Sequence, residues 1–175
     1  VSLGDSVAFG FNLCGSVLGQ ANYVGPVNDR LGAAAPAATL SQHAVLGYLT
    51  ADLLCPGCSG NVFVAVAENP DVITISIGGN DYLDVDGNPV ATALAIPHIR
   101  RNVQEILSSL QGQLPGVEIV LNTYYDNLEG QNAFHNTWGP AFNQMLRDVA
   151  LGQTRPVAVA ELMADGRTRV QFDSG

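Results

Sequence analysis

Short runs of β-branched residues alternate along this chain with longer segments of helical spacing, and this alternation limits the fold more than any other feature. Three runs predict buried strands: "VSL" at 1–3, "DVITISI" at 71–77 and "VEIVLN" at 117–122. Weaker strand patterns lie at 39–45 and 156–162. Glycine or asparagine closes each strong run and favours a loop there.

Apolar residues with helical spacing are typical of three segments between these strands, at 22–33, 92–111 and 139–151. Segment 61–69 has strand composition but also fits a short helix that ends before Pro70. We favour the helix, because a crossover between parallel strands has to cover a sheet face. The order predicts one α/β domain over residues 1–175, a three-layer α/β/α sandwich with a central parallel five-stranded sheet.

Charge and hydropathy exclude several classes of partner. The net charge is −9, and all seven basic residues are arginines, so binding to nucleic acid is not expected. The chain also lacks the roughly 20 consecutive apolar residues of a membrane-spanning helix, so we expect no membrane insertion. "DYLDVDGNP" resembles a calcium loop but lacks its first and last ligands. We therefore expect no metal and no cofactor.

The cysteines bear on the cellular compartment. Cys14, Cys55 and Cys58 are an odd number, and the last two enclose a Pro-Gly turn. A disulfide between Cys55 and Cys58 would suit a secreted or extracytoplasmic protein, whereas free thiols would suit a cytoplasmic one. We favour secretion, because the chain is acidic and contains no lysine.

Polar groups follow the predicted strands at the edge where parallel sheets gather their ligands. Ser6 follows the first strand, Gly47 the second and Asn80 the third. Ester hydrolysis by serine needs such a set, namely a nucleophile and two or three donors placed where the oxyanion forms. A turn residue or a phosphate ligand is the alternative for Ser6, although Asp5 beside it disfavours an anion.

Three sequence blocks carry a resemblance to the GDSL, or SGNH, hydrolases, a family of esterases, lipases and carbohydrate deacetylases. They are "LGDSVAFG", "AVLGYLTADLL" and "ISIGGND", in that order. The resemblance implies a flavodoxin-like SGNH hydrolase fold, Ser6 as nucleophile and an oxyanion hole completed by Gly47 and Asn80. It also implies a small-molecule ester substrate, such as a carbohydrate ester, while Asp5 and Asp81 hold the loops. Because no long apolar lid is apparent in the sequence, we expect a short acyl chain.

The family's Asp-x-x-His block, which supplies the base, is absent from these residues. None of His43, His98 and His135 has an aspartate three positions before it. We expect a domain cut short at both ends, with its base beyond Gly175. One alternative is a base at His135, in the loop after 117–122; another is an impaired fragment or a noncatalytic, ligand-binding relative.

Aromatic residues follow the fourth strand. Tyr124 and Tyr125, with Phe134 and Trp138, either line a substrate pocket or cover the core. The sequence leaves both interpretations open.

Overall fold

A computed structural model describes residues 1–9, 29–30, 32–124, 133–162 and 168–171. The strands are β1 (Ser2–Gly4), β2 (Val72–Ser76), β3 (Glu118–Asn122), β4 (Ala158–Leu162) and β5 (Thr168–Gln171). The helices are α1 (Ser6–Phe9), α2 (Thr50–Leu53), α3 (Val62–Glu68), α4 (Gly79–Leu83), α5 (Pro89–Gln113) and α6 (Ala133–Leu151).

The sheet has the strand order β1-β2-β3-β4-β5, and its first four strands are parallel. Leu3 of β1 is in register with Ile75 of β2, which is in register with Leu121 of β3. All three side chains are fully buried. The predicted α/β fold with a parallel sheet is thus confirmed, and the strong strand patterns mark its centre.

The sheet has the five strands predicted, but only four of them are parallel, and the predicted strand at 39–45 is not one of them. The segment 39–45 meets the sheet through one parallel bridge, between Ser2 and Gln42, because its polar composition offers little to bury. The fifth strand is β5, which runs antiparallel to β4 at the other edge. Its sequence, "TRVQ", has no apolar run that could have revealed it.

The helices pack on the sheet through α5. One face of α5 is buried in a single hydrophobic cluster with apolar residues of β2, β3 and α6. The α5 residues of this cluster, at helical spacing, include Ile99, Val103, Ile106, Leu107 and Leu110. Asn88 caps α5 by accepting a hydrogen bond from the Ala91 N–H, and Pro89 begins the helix. The favoured helix at 61–69 is confirmed as α3, whereas most of the helix predicted at 22–33 lies outside the described residues.

No helix among the described residues is long and apolar enough to span a membrane.

Helix α6 starts six residues earlier than the 139–151 pattern predicts. Gly139 and Pro140, which indicate a helix start in the sequence, lie inside it.

Candidate active site

Ser6 lies where β1 ends and α1 begins, and backbone contacts fix this turn. Gly4 adopts a φ of +137°, and a Cβ there would lie 1.9 Å from the Ser76 carbonyl oxygen. The Asp5 N–H donates to that same oxygen over 2.9 Å, and the Asp5 side chain accepts from the Val7 N–H over 3.0 Å. The main chain of Ser6 is therefore held between two anchored neighbours, while its side chain is half-buried.

Gly47 lies in a turn beside this serine loop. The Val45 N–H donates to the Gly4 oxygen over 2.9 Å, which aligns the second block with the end of β1. Gly47 has a φ of +78° and nothing within 4 Å of a Cβ position. The left-handed backbone, rather than lack of space, thus explains glycine at this position.

Asn80 follows β2 in the short helix α4. Gly78, with a φ of +98°, turns the chain from β2 into this helix. A Cβ on Gly79 would lie 2.9 Å from the Tyr124 ring, so the turn packs closely on that side chain. The Asn80 Nδ2 donates to the Tyr48 carbonyl over 2.9 Å, which links the third block to the residue after Gly47.

A second link joins these two blocks through Asp81. Its carboxylate accepts from the Thr50 N–H over 2.8 Å and from the Thr50 hydroxyl over 2.7 Å. Asn102 of α5 donates to the Thr50 oxygen over 2.9 Å. Asp81 therefore binds α2 to α4, in agreement with its expected role of holding the loops.

Two backbone donors at this edge have no acceptor among the residues that the structure describes. Within the described part of the chain, neither the Ser6 N–H nor the Gly47 N–H makes a hydrogen bond. An amide nitrogen carries two hydrogens, so Asn80 can donate one to Tyr48 and the other to a ligand. Ser6, Gly47 and Asn80 thus belong to three neighbouring loops at one edge of the sheet, each with a donor to offer.

The Asp5 carboxyl has an unusual environment. Burial raises its pKa from 3.8 to about 7, the Val7 N–H opposes this shift, and the Asp81 carboxylate raises the pKa further. Burial also raises the pKa of Asp81, against the effect of its hydrogen bonds from Thr50. Two acidic groups therefore lie in a poorly hydrated region below the serine loop.

We expect folding stability to depend on the protonation of Asp5. A raised folded-state pKa means that the native state binds the proton more tightly than the unfolded chain does. The resulting stabilisation is complete below pH 3.8 and is lost as the pH rises through about 7. Between pH 5 and pH 8 the wild type should lose about 2–3 kcal/mol relative to Asp5→Asn, measured by urea unfolding. Parallel pH profiles of the two proteins would contradict this expectation.

His135 was predicted to lie in a loop. The structure places it in the first turn of α6 instead. Its ring is fully buried, with ring centroids 6.0 Å from Tyr82 and 5.5 Å from Phe134. Its Nε2 lies 3.1 Å from an oxygen of Asp86. A general base has to reach the serine proton directly or through one water. The structure thus places His135 among aromatic side chains of the core, and its role as base stays a prediction.

Tyr124 is a residue of the hydrophobic core. Its side chain is 9% exposed, and its ring packs against Tyr82 and Phe142. Asn143 fixes its backbone by donating to the Tyr124 carbonyl and accepting from the Tyr124 N–H. Tyr125 lies outside the described residues.

Phe134 and Trp138 are half-buried on α6, with ring centroids 6.4 Å apart. Both pack against the core cluster. Their contacts fit the core-covering alternative.

Cys55 and Cys58 form a disulfide, with Cα atoms 5.4 Å apart. Cys14, the third cysteine, lies outside the described residues. In the described ranges, no group of three or more His, Cys, Asp or Glu is placed to hold a metal ion. A shallow cleft of about 210 Å³ lies between residues 69–71 and 114–117, which precede β2 and β3 and so face away from Ser6.

Sequence reasoning missed the residues that connect the loops. Thr50 and Tyr48 lie within the second block, but nothing in the sequence indicates their contacts with the third. Asn102 belongs to no block at all. Thr50 is a fully buried polar residue. This burial is visible only in the structure, and it is the one property that marks Thr50 as a connecting residue.

The fold and the site define an α/β protein with a serine after its first parallel strand and hydrogen-bond donors in the two neighbouring turns. The GDSL-like lipase/acylhydrolase family profile matches residues 2–173, so the chain belongs to this family of ester hydrolases. The resemblance found in the three sequence blocks is confirmed.

Solved structures agree with this fold. An acetylxylan esterase from Geobacillus stearothermophilus is 16% identical, with a TM-score of 0.68 over 93% of this chain and 75% of that one. The lipase Lip_vut3 from a goat rumen metagenome is 19% identical, with a TM-score of 0.71 over 93% of this chain and 80% of that one. A sequence comparison with curated proteins gives no significant match.

Proposed function

We propose that this protein is a serine ester hydrolase that acts through an acyl-Ser6 intermediate. The observation that carries the proposal is that Ser6, Gly47 and Asn80 lie at one sheet edge. The Gly47 N–H has no acceptor among the described residues, and the Asn80 amide is hydrogen-bonded to Tyr48, the residue after Gly47. Serine hydrolysis requires this combination of nucleophile and oxyanion donors.

In this mechanism the Ser6 Oγ attacks the ester carbonyl carbon, and a general base takes the hydroxyl proton. The negative charge moves to the carbonyl oxygen, where the N–H groups of Ser6 and Gly47 and the Asn80 amide donate to it. When the tetrahedral intermediate collapses, the bond to the leaving oxygen breaks and the alcohol takes the proton. Water then attacks the acyl-Ser6 ester and releases the acid.

The base in this scheme is an imidazole held by a carboxylate. His135 beside Asp86 has that partner but is enclosed in the core. The proposal therefore gives His135 a packing role and does not use it as the base.

As substrates we propose esters with short acyl groups, including those carried by carbohydrates. The acetylxylan esterase that shares the fold supports this class, and a serine-to-alanine form of that enzyme is described as a catalytic mutant. We also propose secretion, which the Cys55–Cys58 disulfide and the net charge of −9 support.

Labelling with a fluorophosphonate tests the nucleophile. The complete gene product should gain the mass of one phosphonyl group, and Ser6→Ala should gain none. The control is Ser108→Ala, which removes an exposed hydroxyl from α5 and should label like the wild type. Absence of an adduct on Ser6 would refute the proposal.

A further inference from the structure

Tyr48 connects Asn80 to a part of the chain that no catalytic block includes. Its carbonyl accepts from the Asn80 Nδ2 over 2.9 Å. Its hydroxyl donates to the Ser59 carbonyl over 2.5 Å, with the Ser59 hydroxyl 3.3 Å away. Tyr48 also follows Gly47 directly, so the same residue adjoins one proposed oxyanion donor and contacts another.

Ser59 belongs to a closed turn, residues 55–60, which we name the disulfide loop. The Cys55–Cys58 disulfide closes it covalently. Asn61, which is 1% exposed, donates from its Nδ2 to the carbonyls of Cys55 and Cys58, over 2.7 and 2.5 Å. The same side chain caps α3 by accepting from the Phe63 N–H. The Ser59 carbonyl is therefore presented from a turn fixed by a covalent bond and by a helix end.

We propose that Tyr48 is a positioning residue for Asn80 and that the disulfide loop acts on the oxyanion hole through it. The Tyr48 hydroxyl anchors its residue to Ser59, and the Tyr48 carbonyl then sets the direction of the Asn80 carboxamide. Among the described residues, the Asn80 side chain has this one hydrogen-bond acceptor. The effect on rate rests on the function proposed above, whereas the effect on the Asn80 side chain does not.

The disulfide gives this connection a redox dependence. A dithiol reductant transfers two electrons and two protons to the Cys55–Cys58 bond, which becomes two thiols, while the dithiol becomes a disulfide. The loop then retains hydrogen bonds but no covalent closure: Asn61 still donates to Cys55 and Cys58, and the Cys58 N–H still donates to the Cys55 carbonyl. We expect the Ser59 anchor of Tyr48 to loosen. Reduction acts on the acceptor of the Tyr48–Ser59 hydrogen bond, whereas Tyr48→Phe removes its donor. The reduced protein should therefore resemble Tyr48→Phe.

Side-chain amide signals in ¹H–¹⁵N spectra test the positioning directly. The Asn80 pair is identified by its loss in Asn80→Ala. In Tyr48→Phe, and in wild type treated with a dithiol, we expect this pair to shift and to exchange faster with water. The Asn102 pair, whose acceptor is the Thr50 hydroxyl, serves as internal control and should stay in place. Unchanged Asn80 signals in Tyr48→Phe would overturn the proposal.

A double-mutant cycle tests the consequence for reactivity. Tyr48→Phe should slow fluorophosphonate labelling of Ser6 about tenfold, because small misplacements of oriented groups are costly. In an Asn80→Ala background it should have no further effect, since a residue that acts through Asn80 has nothing left to position. If the rate loss of the double variant equalled the product of the two single-variant losses, the proposal would be contradicted. If even the wild type fails to label, the proposed function fails, and the spectra still decide the role of Tyr48.

Replacing both Cys55 and Cys58 with serine separates redox effects from other effects of the reductant. This variant should label at the rate of the reduced wild type and should not respond to the dithiol. A variant that labels like the oxidised wild type would show that the disulfide loop does not act on Asn80.

Discussion

Replacing Asn80 with alanine is expected to lower kcat/KM for a small aryl ester by about 10²–10³-fold, the usual loss for one oxyanion donor. The loss should fall mainly on kcat, because the amide is needed where charge develops rather than where substrate first binds. Steady-state kinetics on the complete gene product measure it.

Asn80→Asp is the matched variant for this experiment. Its side chain has the same shape, but it places an acceptor where the oxyanion needs a donor. We expect it to lose at least as much activity as Asn80→Ala. A loss below about threefold in Asn80→Ala, with the fold retained, would exclude Asn80 from the oxyanion hole.

Gly4→Ala is expected to have the largest effect on stability. The new Cβ would lie 1.9 Å from the Ser76 carbonyl oxygen, and the φ of +137° is one that alanine rarely adopts. The sheet backbone has to move, because the Cβ is fixed to the backbone of residue 4 and the oxygen belongs to the backbone of Ser76. Overpacking and backbone strain together cost about 3–6 kcal/mol, a large part of the stability of a typical domain. Urea unfolding followed by circular dichroism measures this loss.

Gly112→Ala provides the matched control. This glycine is exposed in α5, with nothing within 4 Å of its Cβ position. There alanine should stabilise the protein by about 0.5–1 kcal/mol, because it favours the helix. If Gly4→Ala unfolded at the same urea concentration as the wild type, the close approach of β1 to Ser76 would be wrong.

The centre of the fold and the three loops could be predicted because their signals are local. The β-branched run at 71–77 contains β2, and the spacing of apolar residues at 92–111 identifies α5. Ser6 and Asn80 each follow a parallel strand, so the geometry of the sheet brings their turns to one edge. Gly47 follows a weaker strand signal, whose single bridge to β1 and hydrogen bond from Val45 to Gly4 place it beside them.

The contacts that hold those loops could not be predicted, because they join residues that are distant in the chain. Nothing about Asn102 indicates that it faces Thr50, and nothing about Tyr48 indicates two different partners. The start of α6 was also missed, since Gly139 and Pro140 favour a boundary there and tertiary packing overrides that preference.

The shortness of β1 has a consequence for the order of folding. The residues of β1 pair with residues that are far away in the sequence. Ser2, for example, is in register with Thr74 of β2, and its N–H donates a hydrogen bond to the Ser41 carbonyl. Strands β2 and β3, in contrast, follow one another in the chain and are joined by a crossover that contains α4 and α5. We expect this more local pairing to form earlier. We therefore expect the turn that carries Ser6 to be completed only after two distant segments have docked on either side of it. We expect partly folded forms of this protein to keep much of the sheet and helix while the Ser6 turn is still unformed.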